Sequence, residues 1–201
     1  MKPLRVGAAG RTVLAALVLA SGAPQAQAHL LETGLGPVYD GIAHFALTPE
    51  DLLPVLALAV LVALRSRDHA RFAIFALPLA WLMAGFVGAS AKVSVSDSLA
   101  WAPLLVLGGL VAADLRLSAT ATTALAAALG IFLGLANGYA MAQAGPGIRG
   151  VVGIVSAVFI VTTLGAACAV AWQSGWLRIA WRVAGSWIAA SGLLLLGWSL
   201  R

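Results

Sequence analysis

HLLETGLGPVYDGIAHFALTPEDLL, residues 29–53, holds four of the chain's seven acidic residues and two of its three histidines, and nearly everything after it is apolar. Glu32, Asp40, Glu50, Asp51, His29 and His44 gathered in one segment beside a membrane read most simply as a mouth that attracts cations. The remainder of the chain is then the wall around that mouth.

Within the segment, Thr48-Pro49-Glu50-Asp51 predicts a helix start. Thr48 is placed to cap, Pro49 suits the first helical position, and two acids in the first turn favour the positive end of the helix dipole. Upstream, Asp40 and His44 stand at i and i+4 and share one helix face. Such a pair either binds a divalent ion or has the acid steady the imidazole by a hydrogen bond. His29, were it the first residue of a processed chain, would offer an α-amine and an imidazole together; otherwise it begins a tail. Nitrogen donors with few oxygens suit nickel, copper, cobalt or zinc better than magnesium or calcium.

Composition sets the surroundings. The 201 residues are 62% hydrophobic and 9% charged, far from the roughly 25% charged residues of soluble domains; an integral membrane protein is expected. Several of the seven tryptophans (Trp81, Trp101, Trp172, Trp176, Trp198) lie near the ends of apolar runs. That position suits rings at the headgroup boundary, with ordinary packing as the alternative. The net charge of +5 is spread over twelve scattered basic residues, without the clustering that follows a phosphate backbone, so nucleic acid is discarded as a partner. The single cysteine, Cys168, excludes an intramolecular disulfide and is expected as a buried small hydrophobe.

Residues 1–28 have the parts of a secretory signal: Lys2, Arg5 and Arg11, then the apolar run Thr12 to Ala20, then Ala26-Gln27-Ala28. Six apolar stretches follow as candidate spans: Pro49–Leu64, Phe72–Ala89, Leu99–Ala113, Ser118–Met141, Val151–Trp172 and Ile179–Leu200. With the mature N-terminus outside, the inner loops hold Arg65, Arg67, Arg71, Arg116, Arg178 and Arg182, and the outer segments only Lys92, Arg149 and Arg201. Gly130, Gly134 and Gly138 stand four apart, a spacing that presents one close-packing helix face. Inside the stretches Asn137 is the one strongly polar side chain, expected to bond a neighbouring helix or to line a path. Phosphate loops, H-E-x-x-H and G-x-S-x-G settings are absent from the sequence, and an enzyme is not expected.

This order of parts resembles the HupE/UreJ family of hydrogenase and urease accessory membrane proteins, regarded as nickel or cobalt permeases. Its first-span motif, H-P-x-x-G-x-D-H-L-L, lies over His44 to Leu53, with His44 matching, Glu50 standing for Asp and Asp51 for His. A second motif, F-H-G-x-A-H-G, is similar to Phe132 to Gly138, with Leu133 and Asn137 in place of its histidines. The resemblance implies a nickel or cobalt ion as the substrate.

The expectation is therefore an all-α polytopic bundle: a cleaved signal at 1–28, a periplasmic acidic and histidine segment at 29–48, and a six-helix transmembrane domain at 49–201. Its function is passage or handling of a divalent transition-metal cation in a bacterial inner membrane. His29, Glu32, Asp40, His44, Glu50 and Asp51 gather the ion and Asn137 lines the onward path. No permanently bound cofactor is expected. Partners are the ion, the bilayer, and a second copy or a metalloenzyme maturation partner. The alternative is a non-transporting accessory scaffold for metalloenzyme assembly.

Overall fold

The computed structural model of the chain describes residues 32–65, 67–93, 95–172 and 175–201, and every regular element among them is helical. In order they are α1 (Pro37–Leu47), α2 (Pro49–Ala63), α3 (Arg67–Ala91), a 3-10 turn (Asp97–Leu99), α4 (Trp101–Ala112), α5 (Ala119–Ala144), α6 (Gly147–Ala171) and α7 (Trp176–Ser199). The expected signal peptide and His29 lie outside the described residues.

Four helices, α3, α5, α6 and α7, are long and apolar enough to cross a bilayer. They carry four of the six expected spans. The stretches Pro49–Leu64 and Leu99–Ala113 fall on the shorter helices α2 and α4. α4 has 12 residues, about 18 Å at 1.5 Å per residue, against about 30 Å of hydrocarbon. α1 and α2 pass the length test only as a pair, and that pair is bent by 74°. The chain is thus a multi-pass helical protein with four helices of spanning length, or five counting the bent pair as one.

The bend follows from Thr48-Pro49. A proline ring disfavours helical backbone at the residue before it, and Thr48 is extended at φ −102°, ψ 99°. Pro49 then begins α2, where its missing N–H costs nothing. Thr48 does occupy the N-cap position, but it makes no side-chain cap bond. Its hydroxyl donates instead to His44 O at 2.7 Å, satisfying one of the carbonyls left open by the last turn of α1.

The central pair is α3 and α5, which run parallel in close contact. Gly130, Gly134 and Gly138 all face α3. A Cβ on Gly134 would stand 2.6 Å from Trp81 O, and one on Gly138 would strike Gly85 O. Trp81, expected near the headgroups, is wholly buried instead, because the glycines let its backbone in and Phe45 of α1 meets its ring edge-on at 6.1 Å. α4 and α7 form a second close pair, antiparallel, through Gly108, Gly185 and Gly192. Cys168 is exposed rather than buried.

Three elements are tied together at the end of the bundle where α2 and α4 finish and α7 begins. Asp114, just past α4, accepts from Arg65 at 2.8 Å and from both Nε and a terminal nitrogen of Arg178 at 2.9 and 2.7 Å. It adopts φ 53°, a left-handed conformation that aspartate tolerates better than most residues. Burial pushes the Asp114 carboxyl up, but hydrogen bonds and charge from Arg178 and Arg65 outweigh it and hold the group below the ordinary aspartate value.

Two measurements check this packing. Gly138→Val should lower the thermal stability of the detergent-solubilised chain by about 1–3 kcal/mol or more from overpacking, whereas Gly109→Ala, inside a helix and with nothing within 4 Å, should not lower it and should raise it by up to about 1 kcal/mol. A carboxyl whose pKa is lowered on folding adds stability above its unfolded pKa and loses it as pH falls through the folded one. Melting temperature should therefore fall with acidification below the ordinary aspartate range, and Asp114→Asn should lower it at pH 7 and remove that part of the decline.

Candidate functional site

The break between α1 and α2 gathers four polar side chains from three helices around one cavity. α1 presents His44 from its last turn, α2 presents Glu50 and Asp51 from its first, and α5 presents Asn137. Phe45, the neighbour of His44, is fixed in the core against Trp81, which sets the rotation of α1.

Asn137 is the hub. Its Nδ2 donates to Asp51 Oδ1 at 3.1 Å and to Leu133 O at 3.0 Å, and its Oδ1 lies 2.9 Å from His44 Nε2. A backbone carbonyl only accepts, so the bond to Leu133 O fixes which end of the amide is nitrogen. His44 Nε2 is accordingly the donor to Asn137 Oδ1. His44 Nε2 also stands 3.8 Å from Asp51 Oδ2. Asp51 and Asn137 are 5% and 4% exposed, so these contacts replace the water such polar groups require.

The trio opens on a cavity of about 410 Å³ whose polar lining includes His44, Thr48, Glu50, Asp51 and Asn137, with Phe132, Leu133 and Ala136 as apolar wall. A residue from the loop before α4, Ser96, and Leu195 of α7 also reach it. Negative charge here lies at the positive end of α2, and the open carbonyls of α1 end nearby. Broken helices in membrane proteins present such ends to ions.

The expected ion-gathering residues separate. His44, Glu50 and Asp51 line the same cavity, together with Asn137. Asp40 does not join them: its Oδ1 accepts from both the N–H and the hydroxyl of Thr33, each at 2.7 Å, tying the segment before α1 back onto its first turn. Glu32 is exposed, and His29 lies outside the described residues. Among the described residues no group of three His, Cys, Asp or Glu side chains is arranged to hold a metal ion. The sequence reading missed the Thr33–Asp40 tie, the Thr48–His44 bond and the Asp114 clasp. Only the last had a signal, an acid standing among arginines at neighbouring span ends.

A polytopic helical membrane protein with a buried polar trio at a broken helix is the class that fold and site define. The chain belongs to the HupE / UreJ protein family, whose model matches residues 15–195. No curated protein and no solved structure matches it. The two motif segments singled out in the sequence meet at this cavity: His44, Asp51, Leu133 and Asn137, where the motifs carry histidine, all line it.

Replacing the hub should expose its role. Asn137→Leu, near in size, leaves Asp51 and His44 buried without their partner and should cost about 1–3 kcal/mol of stability, measured by thermal unfolding in detergent against Leu133→Met as the control.

Proposed function

We propose that the protein is a membrane permease or metal-handling protein for a divalent transition-metal cation, nickel or cobalt by family resemblance. The observation that carries this reading is the convergence of both motif segments on one polar cavity, where Asn137 bonds Asp51 and His44 from 86 and 93 residues away in sequence. Glu50 and the Asp51 carboxylate supply charge at its lining, His44 a nitrogen donor, and Asn137 an amide oxygen for the onward path.

In this reading His44 ligates through Nε2 once its proton sits on Nδ1 instead and the bond to Asn137 Oδ1 is released, so ion entry rearranges the trio rather than filling a ready-made cage. The arginine distribution supports an N-terminus outside and the Asp114 end inside a bacterial inner membrane. Without an ATP motif, movement follows a gradient or a partner. α2 and α4, short as they are, complete a six-helix wall.

One observation favours a second reading. The trio is closed on itself and no three-ligand group accompanies it among the described residues, which suits an accessory scaffold in which the amide bridge is structural.

Cellular nickel, cobalt, zinc and copper, measured at matched membrane levels, separate the two. The permease predicts accumulation of one metal by the wild type, falling to the level of cells lacking the protein in His44→Ala and Asp51→Asn and persisting in Asp40→Asn. A correctly inserted wild type that accumulates none of the four would overturn the permease reading in favour of the scaffold.

A further inference from the structure

α6 and α7 are consecutive, yet they barely touch. Between them runs a groove of about 520 Å³, floored by Leu53, Leu56, Ala57 and Val60 of α2 and flanked by Cys168 of α6 and Ile188 of α7. It is dry in character: aliphatic side chains and glycines make up most of its lining, and the Trp181 Nε1 is already donated to Trp172 O at 3.2 Å. At the end where α7 begins, the groove meets positive charge. Trp181 and Gly185 line it; Arg182 falls between them in sequence and Arg178 one turn earlier.

These arginines are not fully used. Arg178 shares Asp114 with Arg65, so two guanidinium groups divide one carboxylate there. Arg182 is exposed and donates only its Nε, to Ala112 O at 2.9 Å; its two terminal nitrogens have no partner among the described residues. An apolar slot ending in unspent guanidinium donors is complementary to an acyl chain that ends in an anionic phosphate.

We infer that this groove holds one acyl chain of an anionic phospholipid, with the headgroup phosphate on Arg182 and the free face of Arg178. Charge favours a lipid chain over a helix from a second copy: the guanidinium donors at the groove's end meet a phosphate carried by the same molecule that fills the apolar slot. The site is independent of what the protein transports. A lipid there wedges α7 against α2 across a gap that neither helix fills.

The test is native mass spectrometry of the purified full chain in detergent, supplied with phosphatidylglycerol or phosphatidylcholine of identical acyl chains. The wild type should retain one phosphatidylglycerol, at least about fivefold in preference to phosphatidylcholine, a selectivity of about 1 kcal/mol by the tenfold-per-1.4 kcal/mol relation. Arg182→Gln should reduce that preference to parity, Arg182→Lys should keep most of it, and Arg201→Gln, at the opposite end of α7, should change nothing. Cys168→Phe, which adds bulk at an exposed lining position, should lose the bound lipid while eluting as the wild type does. Equal retention of the two lipids, a preference indifferent to Arg182→Gln, or a dimer whose contact is lost in Cys168→Phe would each overturn the assignment.

Discussion

The amide of Asn137 holds the candidate site together. It stands between an imidazole from α1 and a carboxylate from α2, giving its nitrogen to Asp51 and its oxygen to His44. In water those two groups could each find other partners. Inside a largely apolar bundle they cannot, and an unmatched buried polar group costs more than a hydrogen bond returns. The short helix α1 is seated on α6, where Gly41 meets Gly150 and Gly153 meets Val38, and α5 must supply the amide at the matching height, which is set by where α5 packs.

Packing of α5 comes from glycine. The faces of α5 at Gly130, Gly134 and Gly138 and of α3 at Gly85 and Gly88 bring backbone against backbone, so the register of the two helices has little freedom. Trp81 is carried into the core by the same approach and offers its ring to Phe45. One chain of contacts thus runs from the glycine seam through Trp81 and Phe45 to His44, and a second through α5 itself to Asn137. Both ends of the hydrogen bond are positioned by the same helix pair, which explains how a trio drawn from three elements reaches bonding distances.

Much of this was legible in the residues, and the failures have a common cause. Apolar length predicts helices well, and it found α3, α5, α6 and α7. The glycine spacing marked the packing face, and Asn137 stood out because nothing else in the apolar stretches is as polar. Direction was another matter. Hydrocarbon outside the bundle is as apolar as the core, so an apolar residue carries no sign for inward or outward; Cys168 was read facing the wrong way, and for Trp81 ordinary packing rather than the headgroup boundary holds. Likewise the i, i+4 spacing of Asp40 and His44 put them on one face, but it could not foresee that Thr33 would claim the carboxylate. The bond from Asp114 to Arg178 spans 64 residues, a pairing that emerges only once α4 and α7 are placed side by side.

The replacements at the cavity change its chemistry in a definite way. Four histidines would offer four borderline-soft nitrogens, which favour nickel and copper over magnesium and manganese by ligand type alone. This chain offers one imidazole, one carboxylate, one amide and a leucine that ligates nothing, with Glu50 beside them. Oxygen donors discriminate less among first-row ions, so selectivity here would have to come from geometry, and the geometry is a closed hydrogen-bonded trio. An ion entering it would compete with the bonds that set the angle between α1 and α2. On the permease reading, displaceable binding of that kind would suit passage better than storage, since a site that must release its ion gains nothing from ligands that hold it tightly.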